Sequence, residues 1–416
     1  MAKPRVIGPT AWIVGAAGLF IGAVAAWLVS QGNPGNMGLC VACFNRDIVG
    51  FFLGKWTNQA ATAYIRPEII GIILGALGAA LVTREFRPRG GSATLLRFVL
   101  GFIFMSSALV FLGCTVRAWV RLGGGDLTAL WGILGIVIGV AVGVVFLRSG
   151  YNLGRARSMP TWAGWLMPAI AIVLLAFALV ASYGTKPEWA TLTVANGKAV
   201  VPGKVVVVPE GDGLKVVKPA DAKIVEGAVV AGDGTVLADA ETVKASKPMP
   251  GGKRAPLFIS LAAGLAIGAV AQRSRFCSVG GIRDAILVRR FDLLFGVIGL
   301  VIGATVVNLV LGQYNLGFTG QPVAHNDALG NIAAMVVAAL AAVMLGGCPM
   351  RQMIMGSEGD LDGAAAALGM FAGAGFTHWA NIASSPAGLT ERGWPALAVY
   401  AVILVAIALI RRVRTA

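Results

Sequence analysis

The feature that most constrains this chain is a pair of cysteine motifs that recurs, at matched spacing, in both halves. Cys40 is followed by Arg46 and Asp47, and Cys277 by Arg283 and Asp284. Gly113-Cys114 leads to Arg117 and Asp126, and Gly347-Cys348 to Arg351 and Asp360, with the same offsets of 3 and 12. The two motifs lie 74 residues apart in the first half and 71 in the second. Ile21-Gly22-Ala23-Val24-Ala25 also returns as Ile267-Gly268-Ala269-Val270-Ala271, each time shortly before the first cysteine. Agreement at this level marks an internal duplication. Equivalent polar positions in two apolar halves are the plan of a transporter.

Apolarity decides the class. Hydrophobic residues make up 57% of the chain and charged ones 13%, far from soluble composition. Runs long enough to cross a hydrocarbon core are expected near 8–29, 67–82, 98–113, 127–147, 161–183, 256–272, 292–312, 331–347, 363–382 and 395–411. The net charge of +15 is not a nucleic-acid footprint, because it is concentrated in short loops between these runs. Arg84, Arg87, Arg89 and Arg97 form one group, and Arg148, Arg155 and Arg157 a second. Arg273, Arg275, Arg283, Arg289 and Arg290 form a third, and Arg411, Arg412 and Arg414 a fourth. Placing all of them inside, with Lys3 and Arg5, gives a topology with both termini cytoplasmic. The first span is expected to be retained rather than cleaved as a signal peptide, since it belongs to the repeat.

In that topology the span before Cys40 runs outward and its equivalent before Cys277 runs inward. The halves are then inverted repeats, with Cys40 and Cys114 on the external side and Cys277 and Cys348 on the cytoplasmic side. The expected fold is an all-α polytopic membrane protein of two inverted-topology repeats with re-entrant or broken helices, plus a small β-rich soluble insert. Residues 1–160 form the first membrane repeat, 161–184 a linking transmembrane helix, 185–253 the insert on the periplasmic side, and 254–416 the second repeat. Valine alternating with polar residues, with Gly-Asp-Gly turns at 211–213 and 232–234, reads as short hairpins in the insert. A spacer or small lid is the plainest role for it. Gly71-x3-Gly75 and Gly299-x3-Gly303 predict close helix packing, and Trp12, Trp27, Trp131, Trp162 and Trp394 interfacial anchoring.

The glycines before Cys114 and Cys348, and Pro349 after the latter, predict that a helix stops and a new one starts at each cysteine. A helix start presents unpaired N–H groups, which attract anions and favour thiolate. Three-residue spacing places Arg117 and Arg351 on the helix faces of Cys114 and Cys348. A thiol, a guanidinium and helix N–H groups together suit a sulfur- or selenium-bearing oxyanion. The plainer alternatives are cysteine as a small apolar filler, and Arg–Asp pairs that neutralise one another near the membrane. The four aspartates are expected to brace the short helices. Cys43 has no counterpart, since Gly280 takes its place, and with Cys40 it makes a C-x-x-C candidate redox pair. Without a second cysteine pair, and with His325 and His378 far off in sequence, no zinc site is expected. No cofactor is expected, and the absence of a G-x-x-x-x-G-K-[ST] loop argues against ATP hydrolysis by this chain.

Four stretches carry a resemblance to a known family. They are Arg-Pro-Glu-Ile-Ile-Gly at 66–71, Thr-Arg-Glu-Phe-Arg-Pro-Arg-Gly-Gly at 83–91, Ala-Gln-Arg-Ser-Arg-Phe-Cys-Ser-Val-Gly-Gly-Ile-Arg-Asp at 271–284 and Gly-Gly-Cys-Pro-Met-Arg-Gln at 346–352. The chain resembles the YeeE/YedE sulfur-transport family, and most closely its YedE type, to which selenium transport is assigned. The resemblance covers both membrane halves but not the insert. It implies a transporter, not an enzyme, in the bacterial inner membrane. The substrate would be thiosulfate or a related sulfur or selenium anion, passed along spaced cysteines. By motif those are Cys40, Cys114 and Cys348, with Cys277 as a fourth that the repeat supplies. A TusA-like sulfur-carrier protein on the cytoplasmic side is the partner it implies. The alternatives are a membrane thiol oxidoreductase or sulfur-relay protein using Cys40 and Cys43, and a membrane scaffold that docks such a carrier.

Overall fold

The computed structural model describes residues 7–53, 64–181 and 254–412, together with backbone segments between 191 and 238. The apolar runs become helices, separated by short loops where glycine, proline or a capping aspartate ends or starts a segment. In chain order these are α1 (Ala11–Ser30), α2 (Val41–Leu53), α3 (Pro67–Val82), α4 (Thr94–Val110), α5 (Thr115–Gly123), α6 (Ala129–Arg148) and α7 (Leu166–Val180). After the insert come α8 (Leu257–Ser274), α9 (Ser278–Val288), α10 (Asp292–Val310), α11 (Ala328–Leu345), α12 (Pro349–Ser357), α13 (Leu361–Trp379) and α14 (Gly393–Ile410). Pro67 and Pro349 occupy first-turn positions, where a missing N–H costs nothing. Asp327 caps α11 by accepting from the Gly330 N–H, and Asp360 caps α13 by accepting from Asp362 and Gly363.

Each of the ten expected spans coincides with a helix. Among the described residues, eight segments are long and apolar enough to cross a membrane, which makes this a multi-pass membrane protein. Three of the eight are interrupted: α4 with α5, α8 with α9, and α11 with α12. The two expected spans outside the eight have a physical reason. Helix α3 has only 16 residues. Helix α13 is built largely of alanine and glycine and carries Asp362 and His378. Exposed Leu, Ile, Val and Phe side chains line the outer faces of α1, α6, α7, α10 and α14, as a lipid-facing surface requires.

The helices of one half pack on those of the other in matched pairs. Helix α1 lies on α10 and α3 on α8; α4 lies on α13 and α6 on α11. If α1 to α6 are aligned with α8 to α13 in order, each pairing maps onto its neighbour. Helices α7 and α14 stand outside this correspondence, α7 packing on α3 and α14 on α11. The closeness of two crossings explains the glycine repeats. A Cβ on Gly75 would sit 2.1 Å from the Leu265 carbonyl oxygen, and one on Gly303 2.1 Å from that of Leu19. Only glycine permits backbones to meet at that distance.

The chain divides into two compact units. One comprises Met1–Val49, Ile65–Val180 and Ala255–Ala416, and the other Gly50–Tyr64 with Ala181–Arg254. In the first, β1 (Arg89–Gly90) pairs antiparallel with β2 (Arg157–Ser158). In the second, β3 (Thr191–Ala195), β4 (Ala199–Glu210) and β5 (Gly213–Lys218) form one antiparallel sheet. Strands β6 (Lys223–Val225), β7 (Ala228–Val230) and β8 (Val236–Ala238) form another. The expected turns at 211–213 and 232–234 lie partly outside the described residues, and Lys3, Arg5 and Arg414 wholly so.

Candidate functional site

Every repeat cysteine sits at the start of a short helix. Helix α4 ends at Val110, Leu112 takes a positive φ of 62°, and Cys114 is the extended N-cap of α5. Arg275 (φ 56°) ends α8, and Cys277 caps α9. Gly346 (φ 92°) ends α11, and Cys348 caps α12. Cys40 directly precedes α2. First-turn N–H groups lack helical acceptors, so each thiol stands in a field of donors.

The thiols form two pairs, one per half. Cys40 Sγ lies 3.8 Å from Cys114 Sγ, and the Cys348 backbone N–H donates to Cys277 Sγ at 3.2 Å. The first cysteine of each half is held identically: Cys43 N–H donates to Cys40 Sγ at 3.2 Å, and Gly280 N–H to Cys277 Sγ at 3.2 Å. Backbone N–H groups of Arg117 and Ala42 act on the Cys114 sulfur, and those of Arg351 and Ser278 on Cys348. All five cysteines are free and buried. The resemblance implies a three-cysteine path to which the repeat adds Cys277; in the structure Cys277 is the partner of Cys348. The residues that follow Cys114 and Cys277 also meet, with Thr115 Oγ1 3.0 Å from Ser278 Oγ.

Arg117 is fully buried, but its guanidinium is turned to loop backbone rather than towards Cys114. Nε donates to the Asn36 carbonyl at 2.9 Å, Nη2 to Val323 at 3.2 Å, and Nη1 to Leu112. Nη1 also meets Cys43 Sγ at 3.7 Å. Among the described residues no carboxylate lies within ion-pair distance of Arg117, so its charge supplies an unneutralised positive field beside Cys40, Cys43 and Cys114. Arg351 differs. It contacts Glu358 Oε1 at 3.2 Å and Oε2 at 3.3 Å, so its guanidinium is committed to a carboxylate rather than to Cys348. Glu358 also takes Arg275 at 2.9 Å, which in turn reaches Glu85 at 2.7 Å. The hydrogen bond from Gln272, then Arg275 and Arg273, hold the Glu85 carboxyl below its ordinary value.

The remaining motif charges neutralise one another and brace helices. Asp47 takes Arg46 at 2.5 Å and Arg66 at 2.6 Å, all three buried. Arg283 and Asp284 pair at 2.8 Å, each about a quarter exposed. Asp126 holds Arg121 at 2.7 Å and the Thr128 N–H at 2.9 Å, while Asp360 holds Arg89 at 2.7 Å. Cation–π contacts help accommodate the buried arginines, with Arg66 over Phe44 at 4.8 Å and Arg121 over Phe111 at 4.5 Å.

A cavity of about 1060 Å³ has in its wall Ser274 and Gly346, three and two residues before Cys277 and Cys348 in the chain. Arg97, Arg273, Arg275, Arg283 and Arg290 line it, against Asp284 and Asp292. The expectation of loop arginines holds for Arg275 and Arg290, whereas Arg97, Arg273 and Arg283 lie in the end turns or body of α4, α8 and α9. Among the described residues, no group of three or more His, Cys, Asp or Glu side chains could hold a metal ion. Sequence reasoning overlooked Thr115, Ser278 and Glu358. A hydroxyl residue directly after Cys114 and Cys277 was the available signal for the first two; nothing local marks Glu358 as the partner of Arg351. No protein-family model matches the chain, and no curated protein matches it.

Proposed function

We propose that this protein is a transporter that imports a sulfur- or selenium-containing anion, of the thiosulfate type, past two successive thiol pairs. The observation that carries the reading is the equivalence of those pairs. Cys40 with Cys114, and Cys277 with Cys348, bring buried thiols to helix N-termini in both halves, with the same N–H contact on the first sulfur of each. An anion with a soft terminal chalcogen is matched by the thiols, and its charged end by helix N–H donors. The charge of Arg117 favours it further at the first pair. No covalent step is required: the ion exchanges S–H and N–H contacts as it moves.

The matched packing of α1 on α10 and α3 on α8 supports two repeats of inverted topology. The five-arginine cavity, walled by residues that precede Cys277 and Cys348 in the chain, supports a cytoplasmic exit, with both termini on that side and the bacterial inner membrane as the location. The same basic cavity would receive an acidic face of a TusA-like sulfur carrier. A second reading, a membrane thiol oxidoreductase or sulfur relay, is favoured by the clustering of Cys40, Cys43 and Cys114. In that case Cys43→Ser would be as damaging as Cys114→Ser.

The test is uptake of sulfur-labelled thiosulfate by the purified protein in liposomes, with selenosulfate as competitor. Saturable uptake above that of empty liposomes is expected. Its absence from folded protein removes thiosulfate as the simple substrate.

A further inference from the structure

We infer that Thr115 and Ser278 form the closure between the two thiol pairs, a hydroxyl bridge that parts to admit the anion and hydrogen-bonds it in passage. The inference rests on the transport reading above. The two residues lie 163 positions apart, yet their hydroxyls meet at 3.0 Å, with Thr115 fully buried and Ser278 nearly so. Each directly follows an N-cap cysteine, one from each pair, so the bridge lies where the Cys114 end of one site adjoins the Cys277 end of the other. An oxygen separation of 3.0 Å leaves no room for an ion, so this state is closed here.

Several helix hydroxyls turn back on the preceding turn, as Ser274 does to Val270 and Thr305 to Val301, and Thr377 does so to Gly373 while also meeting Ser106. Among the described residues, the Thr115 and Ser278 hydroxyls bond only to each other. Two hydroxyls carry two protons and the bridge uses one. The second O–H therefore has no acceptor among the described residues, a free donor in a buried place. The positive ends of α5 and α9 flank it, and among the described residues no carboxylate bonds either hydroxyl. Such a neutral, donor-rich constriction can replace the water around an anion without trapping it by full charge.

Two measurements test this together. The first is thiosulfate uptake by wild type, Thr115→Val, Ser278→Ala, the double variant and Thr115→Ser. Loss of a hydrogen bond to a charged group should slow uptake about tenfold in Thr115→Val, and Thr115→Ser should restore it. The second needs no transport. In a background with Cys40, Cys43 and Cys114 changed to serine, a membrane-impermeant methanethiosulfonate is applied from the Cys40 side and labelling of Cys277 is followed. Labelling should be slow with the bridge intact and rise about tenfold in Thr115→Ala/Ser278→Ala, the change expected if the bridge stabilises closure by one such bond. Unchanged labelling overturns the closure, as does wild-type uptake by the double variant. If wild type transports nothing but labelling still rises, the closure stands and the transport reading fails.

Discussion

Asp47 and Asp284 occupy equivalent places in the repeat, and the same substitution should affect them very differently. Asp47 is 1% exposed and its carboxylate is shared by Arg46 and Arg66, themselves 3% and 0% exposed. Asp47→Asn keeps the shape but removes the only negative charge in that group of three. Breaking a buried pair from one side costs about 3–5 kcal/mol, because the remaining charge stays desolvated. Asp284 is 26% exposed and Arg283 23%, so water replaces the lost partner and the cost should stay below about 1 kcal/mol. With an unfolding entropy of about 2.1 cal/mol/K for each residue, 3–5 kcal/mol corresponds to a midpoint about 3–6 °C lower over 416 residues. For Asp284→Asn the shift is about 1 °C or less. The assay is thermal unfolding in detergent, followed by a thiol-reactive fluorophore that reports the buried cysteines as they become accessible. Equal shifts at the two positions would refute the reasoning, since Asp47 differs from Asp284 both in its burial and in holding two arginines rather than one.

Three further outcomes follow from the same geometry. Arg117→Lys keeps the charge but loses the planar fork that reaches Asn36, Leu112 and Val323, so stability should fall by about 2 kcal/mol in the same thermal assay; an unchanged midpoint would count against the loop clamp. His325, in the loop before α11, accepts from the Asp327 N–H at Nδ1 and meets the Val110 carbonyl through Nε2, and burial holds its pKa below 6.5. Its stabilising contribution is full above the unfolded value and lost as pH falls through the lower folded value, so the thermal midpoint should drop on acidification from pH about 7.5 to about 5. His325→Gln should flatten that dependence, and an equally steep one would contradict it. Gly303→Leu forces apart α1 and α10, where a Cβ would already lie 2.1 Å from the Leu19 carbonyl, and should cost at least about 1–3 kcal/mol in the thermal assay; a wild-type midpoint would show that the crossing is looser than described.

Helix positions were legible because apolar runs report length directly, and the breaks before Cys114 and Cys348 because Gly113, Gly346, Gly347 and Pro349 are local signals. Local spacing also offered the Arg283–Asp284 pairing as one of two readings, since adjacent residues need no tertiary contact to meet, and the structure shows that pair. Spacing misled for Arg117 and Arg351. Three residues put each on the face of its cysteine, but a long side chain goes where its donors are satisfied. For Arg117 that is three loop carbonyls, and for Arg351 it is Glu358. Neither outcome can be read from a helix face. The pairing of Cys277 with Cys348 and the meeting of Thr115 with Ser278 depend on how one half packs on the other, as does the exchange of α1 and α3 onto α10 and α8. Repetition shows that such sites exist, and only the packing shows which of them join.

In the proposed import path the anion passes both thiol pairs in turn. The most direct measurement compares thiosulfate uptake in liposomes for Cys40→Ser, Cys114→Ser, Cys277→Ser and Cys348→Ser, each checked for wild-type thermal stability. All four should lose uptake, while Cys43→Ser, which leaves both pairs in place, should retain most of it. Wild-type uptake by Cys277→Ser and Cys348→Ser, with loss confined to Cys40→Ser and Cys114→Ser, would contradict that path.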